Sequence, residues 1–386
     1  MNQHHDWLPR HHLGVAATLA HADEVIAQAA GLLHEYQSQD DGVFQLEEVP
    51  VVTYSETVVT GVAPIPRKVP LLVADALVSL RNAIEHTIFA EVEFRDGVLG
   101  PKAARLVEMP AATSYDDFQE WIDRRRRNGP PSLQRGSELV RRIEGLQPFQ
   151  RTLAQEEHPM ALLASHTNYS KHRAPAITAV RLAAIHREDQ TPPSMADVKR
   201  FPEVPLQVGD VIARTPRGVR VPVALFPTVG INRPGTDRWP VLMKELDELS
   251  HWVRAQAVPR LITGSEPPSP ALPTRYDISV GHDDEWQALS VGSSVSAAER
   301  HRERIGAAFA RVDMLATLSD IDGAPSREQL AAWLESLNDK DLIARMEQMQ
   351  VRDNRDPAVI LYNHGILQRM LGDARLFACE DSDATN

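Results

Sequence analysis

Between Val73 and Ala90 the chain reads V-A-D-A-L-V-S-L-R-N-A-I-E-H-T-I-F-A. Leu72, Ala76, Leu80 and Ile84 recur every four residues, the spacing that keeps side chains on one face of a helix. A helix from about Pro70 to Glu91 is expected, with one face in the core. Few polar residues interrupt it, and Arg81, Asn82, Glu85 and His86 sit together near its middle. Whatever the fold, it has to be built around this helix.

The rest of the pattern predicts a mainly α protein with β insertions. A long helix is expected over Leu13 to Tyr36, and one or two strands in the β-branched, proline-containing stretch from Val43 to Val69. A short strand is expected at Leu106-Val107. A helix start is expected at Ser114, where serine can cap the first turn, and a further helix from Ser137 to about Gly145. A helix ending near Asn168 follows. Val208 to Ile231 alternates like a meander of two or three strands, and Val241 to Val258 is strongly amphipathic. Ser265 to Pro273 holds four prolines in nine residues and reads as a linker. Residues 1–12 are expected to be a disordered His-rich terminus, 13–264 the core, 265–275 the linker, and 276–386 a helical module. That module carries apolar stripes (Ile305, Phe309, Val312, Leu315; Leu330, Leu334, Leu337) that a small helical unit of about 100 residues has trouble burying alone. It is therefore expected to dock on the main body, on a second copy or on a regulatory protein partner, and to supply no catalytic residue.

With 386 residues, 42% hydrophobic and 24% charged, the composition is that of a globular protein. No apolar run approaches the ~18 residues of a spanning helix, so no membrane is expected and the cytoplasm is the default. One cysteine, Cys379, leaves no intrachain disulfide and no Cys-based zinc site. A formal charge of -12 opposes indiscriminate nucleic-acid binding. The densest basic stretch is Arg124 to Arg127 with Arg135, Arg141, Arg142 and Arg151, and a solvated helix face is the simpler reading of it. His4, His5, His11 and His12 are metal-ligand residue types, but next to a single carboxylate, Asp6, they imply adventitious affinity only. No metal and no cofactor is expected. Phosphate-loop, nucleophile-elbow and dinucleotide fingerprints do not occur.

Arg81-Asn82-x(3)-His86 matches the R-polar-x(3)-H signature of HEPN nucleases. The order of features also resembles a family of bacterial proteins of largely unassigned function. There, a helix like A-D-A-L-V-S-L-R-N-A-I-E-H (Ala74 to His86) precedes an L-Q-P-[YF] turn, here Leu146 to Phe149, and a D-K-H-R element, here Ser170-Lys171-His172-Arg173. Ser170 replaces the family's Asp and Val78 its His. The resemblance covers about Leu13 to Gly264. It implies a HEPN-like helical core that dimerises so that two motif helices face each other across a composite site. The implied activity is that of a metal-independent endoribonuclease acting on RNA, as a toxin or phage-defence effector.

In that reading Arg81 steadies charge on the phosphorane, Asn82 positions phosphate or imidazole, and His86 carries the proton. Lys171, His172 and Arg173 bind substrate, and Asp75 and Glu85 support the site. The products are a 2′,3′-cyclic phosphate and a 5′-hydroxyl. On one helix Arg81 and His86 point about 140° apart, whereas Asn82 and His86 share a face. The residues alone leave a plainer reading open: Arg81 paired with Glu85 or Asp75, His86 a core histidine, and the basic triplet a surface turn. A non-catalytic nucleotide- or protein-binding module, or a structural component of a larger assembly, is the alternative class.

Overall fold

The computed structural model describes residues 5–39, 42–187, 198, 200–264, 266, 268–350 and 356–384, with side chains through Cys379. It is mainly helical with small antiparallel sheets. Helix α1 (Leu13–Gln37) and helix α2 (Lys68–Asp96) form the central pair. They run antiparallel, since His12 meets Glu91 at one end and Tyr36 donates to the Ala63 carbonyl at the other. α2 tolerates Pro70 because a first-turn residue needs no intrahelical N–H bond. It stops at Gly97, whose φ of 81° lets its N–H turn back to the Glu93 carbonyl. Leu77, Leu80, Ala83, Ile84 and Ile88 are fully buried, and a Leu80→Ala cavity there costs about 2–5 kcal/mol.

Between these helices β1 (Phe44–Pro50) and β2 (Tyr54–Val62) form a hairpin. After α2 come the single turn α3 (Pro101–Ala104), α4 (Tyr115–Arg125), α5 (Glu138–Glu144) and α6 (Pro159–His172). Ser114 caps α4 through its side chain, as the sequence predicts, and Ser137 caps α5 in the same way. Leu106-Val107 forms a turn, not the expected strand: Leu106 N–H and Val107 N–H bond the carbonyls of Ala103 and Ala104.

Strands β3 (Thr178–Arg187), β4 (Val211–Pro216) and β5 (Val223–Ile231) follow. The expected meander over Val208 to Ile231 does not form. β4 adds to the hairpin in the order β1-β2-β4, whereas β5 pairs with β3. Alternation sets which face of a strand is buried but not its partner. Val59, Leu182, Ile185, Ile212 and Ala213 then bring the two sheets together over a small shared core.

α7 (Leu242–Trp252) continues through a π-helical turn (Val253–Ala257) into α8 (Val258–Thr263). Buried Glu245 of α7 is held by Arg233 at 2.7 and 2.9 Å and faces His166 of α6 at 3.5 Å.

The proline-rich segment does not separate two units at the expected place. Leu272 and Tyr276 are core residues, His5 Nε2 lies 3.1 Å from the Ala271 carbonyl oxygen, and Trp7 donates to the Pro270 carbonyl. α9 (Glu285–Ser290) also packs on the main core, which ends at Ala297 and Ala298 in α10 (Ala297–Ser319). A second core begins at Ala307 in the same helix. It joins α11 (Arg327–Ser336), α12 (Asp339–Glu347) and α13 (Pro357–Ala384) around Leu318, Trp333, Leu342 and Leu371. The boundary lies within α10, about thirty residues later than the proline signal placed it. Among the described residues no helix is long and apolar enough to cross a membrane.

Candidate functional site

The motif residues divide between two sides of α2. Arg81 turns inward. Its guanidinium pairs with Glu85 Oε1 (2.7 Å from Nε), donates to the Met109 carbonyl, and lies 3.7 Å from Met160 Sδ. Glu85 Oε2 in turn accepts the Met109 N–H at 2.8 Å. The i,i+4 pair thus satisfies both backbone groups of Met109 and ties the segment between α3 and α4 to α2. His86 lies on the opposite side and is exposed, not a core histidine. Asn82, half-buried, stands one turn before it on the same face. This face continues through exposed Leu71 and half-buried Val78 and Phe89. Asp75 is exposed there, and its carbonyl accepts the Ser79 hydroxyl. The structure therefore brings Asn82 and His86 together on an open surface and separates Arg81 from them.

Lys171, His172 and Arg173 are exposed at the C-terminal end of α6. The end of α6 that touches Arg81 is Met160. Eleven to thirteen residues further along, at 1.5 Å per residue, the triplet lies roughly 17–20 Å down the helix axis. It does not join the motif on one chain. The arginines of the basic stretch also disperse. Arg125 is buried over the Trp121 ring, donates to the Leu106 carbonyl and pairs with Glu108. Arg135 meets Asp123, and Arg151 donates to the Glu157 carbonyl.

A second polar cluster was not expected. Residues 1–4 lie outside the described residues, but from His5 onward the terminus is placed: His5, Leu8 and His12 are buried. A short 3-10 turn (Arg10–His12) sets His12 Nε2–H to donate to Glu91 Oε1 at 2.8 Å, and His11 Nε2 lies 3.6 Å from the same oxygen. His11 also stacks on Phe94, with ring centroids 4.5 Å apart. Arg95 holds Glu91 Oε2 at 2.8 Å, and Arg142 stands 4.0 Å away. Burial opposes ionisation of Glu91, yet the hydrogen bonds from His12 and Arg95 hold its carboxyl below the usual range. Burial, and then neighbouring His12, lower the pKa of His11.

The ligand atoms of His11, His12 and Glu91 lie within 4.8 Å of one another, a set of metal-ligand type. Two guanidiniums beside the carboxylate compete for its electrons and repel a further cation. The cluster thus acts as a clasp between the terminus and α2. One signal for it was present in the sequence. Ile84, Ile88 and Glu91 fall on one helical stripe, and a carboxylate there has to find a buried partner.

Arg142 links this clasp to a neighbouring concavity. It donates to the last carbonyls of α8, Leu261 and Ile262 at 2.9 and 2.5 Å, and pairs with Glu138. Arg95 Nη1 is 3.5 Å from the other Glu138 oxygen.

Against known proteins, no family model, no curated protein and no solved structure matches this chain.

Proposed function

We propose that the chain is a metal-independent endoribonuclease whose site is completed by a second copy across the open face of α2. The observation that carries this reading is the pairing of Asn82 with solvent-exposed His86 on a helix face whose flanking Leu71, Val78 and Phe89 remain exposed or half-exposed. General acid–base cleavage needs one group to take a proton and another to give one. The open face of a single chain offers one imidazole, and two chains related by a two-fold offer two. His86 of one copy then takes the proton from the ribose 2′-hydroxyl, and His86 of the other protonates the leaving 5′-oxygen. Asn82 donates to a phosphate oxygen. Arg81, bound to Glu85 and Met109, stiffens the helix behind them and acts as a positioning residue. The resemblance to HEPN nucleases supports the same arrangement.

The inward turn of Arg81 favours a second reading. With its guanidinium committed to the protein, the same face serves a non-catalytic module that binds a nucleotide or a protein. A substrate with a single ribonucleotide in a DNA strand distinguishes the two. The nuclease cuts only after that ribose and leaves a cyclic phosphate. Cutting of an all-deoxy strand, or binding without cutting, rejects it.

A further inference from the structure

α5 and α8 meet around a cavity of about 320 Å³, lined by Glu138, Arg141, Arg142, Gly145, Arg260 and Gly264. That is the lower end of the ~300–1,000 Å³ range of small-molecule sites. Its walls carry three guanidiniums and one carboxylate, in a chain whose overall charge is -12. Glu138 is already neutralised, since Arg142 pairs with it and Arg95 approaches at 3.5 Å. The cavity is a local cationic spot on an acidic protein.

What those guanidiniums bond decides what the cavity is for. Arg142 spends both Nη atoms on Glu138, Leu261 and Ile262, but its Nε is buried with no partner. Arg260 Nε is likewise buried without a partner, and among the described residues no hydrogen bond or ion pair holds the Arg260 guanidinium. Arg141 is exposed and equally uncommitted. Buried donors of a charged group are costly when unmade. Arg181 and Arg254 also carry buried nitrogens without a partner, but neither lines this cavity, whereas Arg81, Arg125 and Arg233 each pair with a carboxylate.

We infer that this cavity is a binding site for a phosphate group. A tetrahedral dianion offers acceptor oxygens on several sides, which suits donors arriving from two different helices. Arg260 and Arg141 supply the free guanidiniums, and the pairing of Arg142 with the α8 carbonyls fixes the distance between the walls. The phosphate comes either as a free ion or on a nucleotide or RNA end. This inference does not rest on the nuclease reading, because binding alone tests it.

The experiment is calorimetric titration of the full chain with inorganic phosphate, AMP, and a short RNA with and without a 5′-phosphate, beside Arg260→Gln and Arg141→Gln. The expected result is saturable binding of a phosphate-bearing ligand that weakens at least tenfold in Arg260→Gln. A smaller loss is expected in Arg141→Gln, which changes an exposed side chain and leaves the fold intact. Tightest binding of inorganic phosphate assigns a small anion, and preference for the 5′-phosphorylated RNA over its 5′-hydroxyl form assigns a nucleic-acid end. Absence of saturable binding to every ligand overturns the inference, as does equal binding by wild type and by both folded variants.

Discussion

Arg81 and Glu85, one turn apart on α2, hold the carbonyl and the N–H of Met109 between them. The arginine that anchors the nuclease signature in sequence is therefore a structural tie. Arg81→Ala leaves a half-buried carbonyl and a carboxylate without their partner, and is expected to cost about 1–3 kcal/mol. Arg81→Lys is expected to recover only part of this, because an ammonium lacks the planar fork. Denaturant unfolding of both variants checks the point, with a double-mutant cycle against Glu85→Gln. A stability equal to wild type in Arg81→Ala contradicts the tie.

The His12–Glu91 contact makes a stronger demand on stability. Both side chains are buried, and Arg95 binds the remaining carboxylate oxygen. Glu91→Ala strands an imidazole and is expected to lower stability by about 3–5 kcal/mol, the usual cost of breaking a buried pair from one side. Glu91→Gln is expected to fall between this variant and wild type. Thermal unfolding monitored by circular dichroism gives the comparison, and a shift under one degree in Glu91→Ala would remove the clasp from the account.

Two histidines set an acid limit. Burial pushes His158 down to about 4, with a smaller contribution from Arg151; burial likewise pushes His301 to about 4, with His34 and Arg304 adding to it. A folded-state pKa below the unfolded value near 6.5 means that the unfolded chain binds more protons between the two. Stability from these groups is full above about pH 6.5 and is lost as pH falls toward 4. His158 Nδ1 accepts the Met160 N–H at the start of α6, a bond that protonation removes. His158→Asn keeps a capping acceptor without the titration, and so is expected to flatten the decline of melting temperature between pH 7 and 5. An unchanged slope in that variant argues against His158 as a source.

The position of the second core predicts how truncations behave. A chain ending at Pro273 loses Tyr276, Leu289, Ala297 and Ala298 from the main core. It also loses the Ala297 N–H and Arg300 that hold buried Asp23. It is expected to aggregate or melt far below the full chain. A chain ending at Glu303 keeps those contacts and is expected to unfold cooperatively. Equal melting of the two shortened forms refutes a boundary within α10.

Periodicity made the helices readable, because a buried stripe repeats over many turns: α1, α2 and α7 appear close to where the pattern puts them. Pairing of β4 with β2 and of β5 with β3 joins distant residues, such as Arg214 and Glu56, 158 apart, and local alternation carries no record of that choice. The open face bearing Asn82 and His86 was legible from the 100° step of a helix. The inward commitment of Arg81 was visible only as one of two readings, since the i,i+4 partner Glu85 was in plain view but Met109 was not. The clasp and the α5–α8 cavity rest on contacts across 79 and 120 residues. Proline content misplaced the domain boundary because Leu272 and Tyr276, beside those prolines, are anchored in the core.

In the proposed function, exposed His86 on α2 carries metal-free RNA cleavage in a dimer. The direct measurement is cleavage of labelled RNA in EDTA by wild type and His86→Ala, over a protein concentration series followed in parallel by sedimentation. Activity is expected to rise with the dimer fraction and to be absent from His86→Ala, whose melting temperature stays that of wild type because the side chain is exposed. Full activity in His86→Ala, a requirement for added metal, or undiminished activity per chain in the monomer contradicts it.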